Sequence, residues 1–281
     1  MDLSPHIIHE IVARALAEDV GTGDLTSMAA VPADLRAEAA MVLREPAVVC
    51  GLPVARAVFA AVDSALELRA LLPEGARAEA GATIATVSGP ARGLLSGERV
   101  ALNLLQRMCG VATLTARYVE AVSGTKARIL DTRKTTPGLR ALEKYAVRVG
   151  GGTNHRFALY DGVMLKDNHL AILAAQGFGL ADAVRRVRAA VGPMVRVEVE
   201  VESVDQAAVA AAAGADMILL DNMSPADLRA AVAVIAGRAL AEASGGITLA
   251  TIRAVAESGV DFISVGALTH SSRALDIGLD M

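Results

Sequence analysis

The 281-residue chain has no tryptophan, and only 2% of its residues are aromatic although 53% are hydrophobic. Proteins that bind single-stranded nucleic acid stack the bases on aromatic rings, so this composition argues against that class of partner. The apolar residues are mainly alanine, valine, leucine and isoleucine, which suit helices packed on strands. A chain of this length can bury the core of one large domain or of two ordinary ones.

Cysteine and long apolar runs are also scarce. Cys50 and Cys109 are the two cysteines, and neither has the spacing of a metal site or a redox pair. We expect both to be buried and reduced. No uninterrupted apolar run reaches the length of a membrane span, and the acidic, amphipathic N-terminus is unlike a signal peptide. These absences predict a soluble, cytoplasmic protein with no membrane partner.

The chain has no overall excess of basic charge, because its formal net charge is -4. Basic residues are nevertheless concentrated in one segment, residues 131–169, where they stand among glycines and short polar residues. A cationic cluster within an acidic chain indicates a site for a small, multiply anionic ligand. It does not indicate a surface for nucleic acid.

The second half of the chain repeats one pattern, in which a short aliphatic run ends at a polar residue and a helical stretch follows. The runs predict strands at 127–130, 162–165, 195–199, 217–220, 239–241 and 262–265. The clearest helical stretches are 205–213, 225–235 and 248–258. Such alternation is typical of parallel βαβ units, and strands that are apolar along their length are buried on both faces.

The residues that end these strands favour a barrel over an open sheet. They are Asp131, Lys166, Glu200, Asp221, Glu242 and Gly266. In a β/α barrel all the carboxyl ends of the strands meet at one mouth, where the active site lies. In an open doubly wound sheet, the alternative, only the strands at the switch point would carry such residues. We therefore predict an α/β fold with an incomplete parallel β/α barrel over residues 112–267.

The sequence pattern of residues 1–111 predicts a smaller α+β domain. Strands are expected at 37–44 and 47–50, and a helix at 54–62. A long helix from Ser96 to about Val122 would join the two domains, with Ser96 as its N-cap and Arg99 in its first turn. The tail, residues 268–281, is too short for another βα unit and should pack on an existing domain.

Five residues at or beside the strand ends carry or can carry positive charge: Arg133, Lys134, His155, Arg156 and Lys166. Arginine binds a carboxylate through two parallel hydrogen bonds, and lysine supplies a point charge for phosphate. The alternative is a solvated charged loop. Because these residues stand at strand ends, we favour a binding site for an anion.

Glu200 and Asp221 end consecutive strands and form a pair of candidate carboxylates. Such a pair would hold Mg²⁺ or stabilise developing positive charge, and a salt bridge to the neighbouring cations is the structural alternative. Glu198 is assigned to the opposite face of the strand and left out of the site. Ser244, Gly245, Gly246 and Gly266 follow late strands, where backbone N–H groups at a helix N-terminus can cradle a phosphate; a plain turn is the alternative.

Several motifs follow one another along the chain: DTRKTTPGLRALEKYAVRVGGGTNHR, GVMLKDNH, VEVEVE, ILLDN, SGGI and VGALTHS. Together they closely resemble the quinolinate phosphoribosyltransferase family, and the resemblance extends over essentially the whole chain. It implies a small open-faced α+β sandwich domain before the incomplete barrel, with the C-terminal tail returning to it. It also implies a homodimer in which each barrel mouth is completed by the partner chain.

The resemblance implies transfer of a phosphoribosyl group from phosphoribosyl pyrophosphate to quinolinate with decarboxylation. The products would be nicotinate mononucleotide, pyrophosphate and CO2, in NAD biosynthesis. The residues implied for the quinolinate carboxylates are Arg99 of the partner subunit, Arg133, His155, Arg156 and Lys166. Those implied for the sugar donor, its phosphates and Mg²⁺ are Lys134, Lys166, Glu200, Asp221, Ser244, Gly245, Gly246 and Gly266, and Thr132 also belongs to the substrate site. Catalytic roles would fall to Lys134, Lys166, Glu200 and Asp221.

Two other functions remain as alternatives. One is a binding or accessory protein of the same fold, associated with molybdate transport; the intact TRKTTPGLR and HR elements argue against it. The other is a lyase that forms a Schiff base through Lys166, since a lysine at a barrel strand end is also an aldolase arrangement.

Overall fold

The computed structural model describes residues 3–281, and this part of the chain forms two compact units. The first, here called the N-terminal unit, comprises the residues up to 116 together with 134–151 and 267–281. The second, the barrel unit, comprises residues 117–133 and 152–266. The domain limits predicted from the sequence are 1–111 with 268–281 for the α+β domain and 112–267 for the barrel domain, and they stay a prediction. None of the helices within residues 3–281 is both long and apolar enough to cross a lipid bilayer.

The helices are α1 (Pro5–Asp19), α2 (Leu25–Ala30), α3 (Leu52–Val62), α4 (Ala91–Ala121), α5 (Arg140–Val149), α6 (Asp167–Ala174), α7 (Leu180–Ala190), α8 (Val204–Ala212), α9 (Pro225–Ile235), α10 (Ile252–Ala256) and α11 (Ala267–His270). The strands are β1 (Arg36–Leu43), β2 (Ala47–Val48), β3 (Glu67–Ala70), β4 (Arg77–Ala78), β5 (Thr83–Pro90), β6 (Arg128–Leu130), β7 (Val163–Leu165), β8 (Val197–Val201), β9 (Met217–Asp221), β10 (Leu240–Ser244), β11 (Phe262–Ser264) and β12 (Ile277–Asp280).

The N-terminal unit is built on an antiparallel sheet with the strand order β12-β1-β5-β3. Alternate residues of β1 are buried, as expected for a sheet with one face on a core. The last strand, β12, comes from the C-terminal tail, so the prediction that the tail packs on an existing domain is confirmed. Gly110 permits this return, because a Cβ there would lie 1.9 Å from the carbonyl oxygen of Arg273.

Helix α4 begins five residues before the predicted start. Strand β5 ends at Pro90 and the chain enters the helix at Ala91 without an intervening loop. Ser96 therefore lies inside the helix, where its Oγ donates to the carbonyl oxygen of Arg92. The prediction that Ser96 is the N-cap is wrong, because the SGER pattern that suggested a start falls more than a turn inside the helix.

The barrel unit contains a parallel sheet with the strand order β6-β11-β10-β9-β8-β7. Thus β6, the first barrel strand along the chain, pairs with β11, the last one, as in a sheet that curves round on itself. On the free side of β6, Thr153 forms a parallel bridge with Leu130. Residues near Thr153 therefore take the place of a further strand, and the ladder is interrupted between them and β7. The predicted α/β fold with an incomplete barrel is confirmed.

Candidate active site in the barrel unit

The pairing register decides which residues face the enclosed side of the barrel, because alternate residues of a strand face opposite sides. Glu198 pairs with both Met164 and Met217, and Glu242 with both Leu219 and Phe262. The valines of β8 face the helices instead and are fully buried. The polar residues that this register places on the enclosed side are Arg128, Lys166, Glu198, Glu200, Asp221, Glu242, Ser244 and Ser264.

Four of these residues stand at the carboxyl ends of the neighbouring strands β7, β8, β9 and β10: Lys166, Glu200, Asp221 and Ser244. Each is partly exposed, so a ligand can reach all four. The Lys166 ammonium forms an ion pair with Glu200, and Asn222 Nδ2 donates to Asp221 Oδ2 at 2.6 Å. The salt bridge offered as the structural alternative for Glu200 is therefore present, within reach of solvent.

His169 fixes the backbone at Lys166. Lys166 is the N-cap of α6, and its backbone N–H donates to His169 Nδ1 at 3.0 Å. The contact holds the end of β7 in an extended conformation, so the Lys166 side chain leaves the strand on the enclosed side.

Arg156 spans the gap in the barrel wall. Its guanidinium donates to the carbonyl oxygen of Gly162, just before β7, at 2.9 Å. A cavity of about 390 Å³ lies along this gap and is lined by residues including His155, Arg156 and Glu198. Burial lowers the pKa of Arg156, and the positive charge of Arg133 lowers it further. Two guanidiniums close enough to repel each other form a site that an anion would stabilise.

His155 lies beneath the mouth, among buried acids. Its Nε2 is 2.9 Å from Glu198 Oε2 and 3.5 Å from Glu242 Oε2. Its backbone N–H donates to the buried carboxylate of Asp131 at 2.8 Å, and Asn154 Nδ2 donates to the same carboxylate at 2.6 Å. Burial, chiefly, and the neighbouring Glu198 raise the pKa of Glu242 to about 8, so this carboxyl group is mostly protonated at pH 7.

The interpretation that placed Glu198 on the other face from Glu200 is wrong. Residues two apart along a strand face the same side, and Glu198 and Glu200 both do so. Glu242 also differs from its prediction as a strand-end residue, because β10 continues two residues further, to Ser244. The alternation of VEVEVE contained the signal that would have placed Glu198 beside the site.

The loop Ser244-Gly245-Gly246 follows β10, as predicted, but it does not lie at a helix N-terminus. Helix α10 begins at Ile252, and residues 248–251 form a turn. Both glycines have left-handed φ angles, 95° and 59°. A Cβ at Gly245 would lie 2.2 Å from Asn222 Oδ1, so this loop packs tightly against the end of β9. Any phosphate cradle here must use the loop's own N–H groups. Gly266 follows β11, and Thr132 follows β6.

Lys134 and Arg99 belong to the N-terminal unit. Lys134 is exposed, and its carbonyl oxygen accepts a hydrogen bond from Thr269 Oγ1 at 2.7 Å. Two residues on, Thr136 donates to the buried carboxylate of Glu143 through both its backbone N–H and its hydroxyl. Arg99 lies on α4, is exposed, and stands 3.7 Å from Glu98.

Glu200 and Asp221 fit the requirements of Mg²⁺, which prefers carboxylate oxygens and usually binds one or two of them together with substrate phosphates. Both are inward-facing, partly exposed carboxylates on adjacent strands. His155, Glu198 and Glu242 form a second group with metal-ligand atoms, all within 4.8 Å of one another. The two glutamates of that group are buried, and a protonated Glu242 reduces its negative charge, so the mouth pair suits Mg²⁺ better.

Family models match both parts of the chain. The model described as "Quinolinate phosphoribosyl transferase, N-terminal domain" matches residues 24–109. The model described as "Quinolinate phosphoribosyl transferase, C-terminal domain" matches residues 111–280.

Individual relatives match over nearly the whole chain. A nicotinate-nucleotide pyrophosphorylase (carboxylating) of Mycobacterium leprae is 47% identical over 278 residues, 97% of this chain and 96% of that protein. A probable nicotinate-nucleotide pyrophosphorylase (carboxylating) of Bacillus subtilis is 45% identical over 274 residues, 98% and 93% of the two chains. The crystal structure of NadC from Streptococcus pyogenes superposes with a TM-score of 0.95 at 42% identity, covering 100% of this chain and 98% of that one.

Proposed function

The chain belongs to the quinolinate phosphoribosyltransferase family, and from this membership we propose how its residues carry out the family's reaction. The protein is a decarboxylating quinolinate phosphoribosyltransferase, a pentosyltransferase of NAD biosynthesis. It joins quinolinate to the ribose of phosphoribosyl pyrophosphate and yields nicotinate mononucleotide, pyrophosphate and CO2.

The single observation that supports the site assignment best is the row of side chains at four neighbouring strand ends. Lys166, Glu200, Asp221 and Ser244 follow one another around one edge of the barrel sheet. This edge is where the active site of a β/α barrel lies. The row offers a cation for phosphate, two carboxylates for a metal or a developing positive charge, and a hydroxyl beside a glycine loop.

On the quinolinate side, Arg133 and Arg156 supply the paired positive charge that a dicarboxylate requires. Lys166 and His155 stand on the same side, and Arg99 of the partner subunit would complete it. The two arginines hold the pyridine ring so that its nitrogen points at C1 of the ribose. Fixing the two reactants in this way replaces an encounter in solution by a step within one complex.

On the sugar-donor side, Lys134 and Lys166 would bind the phosphates, together with Thr132 from the same loop. The 5-phosphate would lie against the Ser244-Gly245-Gly246 loop and Gly266. Lys166 is already paired with Glu200, and a phosphate oxygen would compete with that carboxylate for the ammonium. The pair thus keeps the lysine extended at the mouth before the substrate arrives.

The chemical step follows from these positions. The quinolinate nitrogen forms a bond to C1 of the ribose as the bond from C1 to pyrophosphate breaks. Glu200 and Asp221 stabilise the positive charge that develops on the ribose. The product nitrogen is cationic, so it accommodates the electron pair left on the adjacent ring carbon when the carboxylate departs as CO2. That carbon then takes up a proton.

We propose that Glu200 and Asp221 hold Mg²⁺ together with the donor's phosphates. When bound, the ion supplies charge neutralisation for the departing pyrophosphate. Lys134 and Lys166 contribute to the same neutralisation from the protein.

We propose that the enzyme works as a homodimer with shared sites, since Arg99 is exposed on α4 and belongs to the N-terminal unit. Mixing Arg99→Ala with Lys166→Ala subunits should restore part of the activity. No recovery after confirmed subunit exchange would argue against sharing. We also propose that the enzyme is cytoplasmic, because the sequence has no apolar run of membrane-spanning length and its N-terminus is unlike a signal peptide.

The proposed function is tested with quinolinate that carries a label in the carboxylate at ring position two. The measured quantity is the labelled CO2 that the protein releases from it. Release should need both phosphoribosyl pyrophosphate and Mg²⁺, and nicotinate should be inert in parallel. Silence from a folded protein would overturn the assignment and favour the accessory paralogue. The alternative Schiff-base lyase is tested by borohydride trapping with a carbonyl substrate, which would label Lys166 covalently. The ion pair between Lys166 and Glu200 disfavours that reaction, because a paired ammonium is a poor nucleophile.

A further inference from the structure

Three side chains form a buried cluster one layer beneath the mouth: His155, Glu198 and Glu242. Glu198 is 4% exposed and Glu242 is fully buried. The cluster joins three parts of the barrel, since His155 comes from the segment that replaces a strand, Glu198 from β8 and Glu242 from β10. Burying two acidic side chains is unfavourable unless they make compensating contacts, so their position calls for a function.

The hydrogen bonds of His155 define its tautomer. The backbone N–H of Arg156 donates to His155 Nδ1 at 2.7 Å. A backbone N–H can only donate, so Nδ1 is the unprotonated nitrogen and the ring proton lies on Nε2. Nε2 in turn faces Glu198 at 2.9 Å and Glu242 at 3.5 Å. Both ring nitrogens therefore point at groups of the protein itself.

The contact through Nδ1 reaches the arginine of the proposed quinolinate site. Arg156 is the next residue in the chain, and its guanidinium is directed by the carbonyl oxygen of Gly162 across the gap in the barrel wall. The main chain of Arg156 is thus held by the His155 ring, which lies against two buried acids, and its side chain is anchored to the residue just before β7. A small shift of this backbone would move the guanidinium relative to a bound carboxylate.

We propose that Glu198 and Glu242 are positioning residues for quinolinate, which act by fixing the His155 ring and, through it, the main chain of Arg156. The proposal deepens the proposed function and rests on it. It gives His155 a role in orienting Arg156, in addition to its place on the quinolinate side of the site. It also names two determinants of quinolinate affinity that lie beneath the site.

The first test is steady-state kinetics of Glu198→Gln, which keeps the shape of the side chain, and of Glu242→Ala, which removes the acid group. The quinolinate KM should rise by about tenfold to a hundredfold, because misplacing a binding group by about 1 Å can cost that much. The KM for phosphoribosyl pyrophosphate should stay within about twofold, since Lys166 and Asp221 lie outside the cluster. Glu202→Gln, an exposed glutamate just after β8, is the matched control and should leave both constants unchanged.

A double-mutant cycle separates positioning from a general loss of structure. His155→Asn keeps an acceptor near the Arg156 N–H but no longer reaches the glutamates. If the glutamates act through His155, adding Glu198→Gln to His155→Asn should raise the quinolinate KM no further. Additive increases would overturn the proposal, as would a normal quinolinate KM in both single variants, Glu198→Gln and Glu242→Ala.

The tautomer can be checked without any variant. Long-range proton–nitrogen spectra of protein labelled at histidine nitrogen should show His155 as the neutral form protonated at Nε2, and Glu198→Gln should change the Nε2 shift. A charged ring, or a proton on Nδ1, would overturn the proposal. The proposed function and the positioning role can be contradicted separately. A wild-type protein that is inactive with quinolinate contradicts the proposed function. An active wild-type protein whose glutamate variants have normal kinetics contradicts only the positioning role.

Discussion

Two glutamates, each almost completely buried, occupy opposite electrostatic situations. Glu143 in the N-terminal unit is 1% exposed and accepts hydrogen bonds from Arg107 and from Thr136. Glu242 in the barrel unit is fully buried, and neither of its oxygens has a well-aligned hydrogen-bond donor within residues 3–281. The same side chain thus serves one unit as a paired anion and the other as a largely protonated acid.

The difference extends to the cations. Arg107 is held by Glu143 and by the carbonyl oxygens of Thr269 and Ser272, so its charge is cancelled within the N-terminal unit. Arg156 donates to a carbonyl oxygen; the charge of Arg133 opposes its own, and the carboxylates of Glu198 and Asp161 partly offset this repulsion. Arg107 thus helps to hold the fold through a buried ion pair, whereas Arg133 and Arg156 keep two like charges close enough to repel each other, and an anionic ligand would stabilise them.

The largest expected effect is on activity. Arg133→Ala should lower turnover with quinolinate by about a thousandfold, because removing one preorganised charged donor from an active site costs that order. Its stability should change by less than about 1 kcal/mol, since one of two repelling charges is lost. Steady-state kinetics and urea unfolding measure the two quantities. Near-normal turnover would remove Arg133 from the site, and Arg185→Ala on the exposed face of α7 is the control.

The largest expected effect on stability lies in the other unit. Glu143→Ala should destabilise the protein by about 3–5 kcal/mol, the usual result of removing one partner from a buried ion pair. The guanidinium of Arg107 would lose its charged acceptor, and the backbone N–H of Thr136 would lose its acceptor as well. Urea unfolding measures the change. A loss below about 1 kcal/mol, the scale of the exposed control Glu257→Ala, would contradict the idea that this acid anchors the fold.

Much of the fold was predictable because local signals were strong. Helix α9 runs over residues 225–235, as predicted, since Pro225 and the N-cap Ser224 mark its start. The barrel strands fall within a few residues of the aliphatic runs, and their ends deliver Lys166, Glu200 and Asp221 to one edge. The family's motifs supplied what composition and spacing could not, namely the identity of the ligands.

The rest depends on contacts between residues distant in the chain. Nothing local indicates that Glu143 accepts hydrogen bonds from Arg107, 36 residues away, or that β12 returns to β1. The burial of Glu242 follows from the extension of β10 to Ser244, a length set by pairing with β9. Glu198 was the exception, because strand alternation alone places it on the same side as Glu200.

The pH dependence of stability sharpens the contrast between the two acids. The pKa of Glu242 is raised from 4.5 to about 8 in the folded protein. Between these values the folded state holds more protons than the unfolded state, so stability falls as pH rises, by at most about 1.4 kcal/mol per pH unit from this group. Glu242→Gln should flatten this slope in urea unfolding between about pH 5 and pH 8. Parallel profiles for the variant and the wild type would show that Glu242 ionises normally.

The smallest effect is expected where a charge pair is exposed. Arg44 holds Asp280 through two hydrogen bonds, at 3.1 Å and 2.5 Å, and so links β1 to the C-terminal strand β12. Both side chains are nearly half exposed, so Arg44→Ala should lower the free energy of unfolding far less than Glu143→Ala does, and less still at high salt. Urea unfolding at low and high salt measures this. A loss of stability as large as that of Glu143→Ala would mean that this exposed pair holds the tail as firmly as a buried one. Burial would then not be what distinguishes the charges that stabilise this fold.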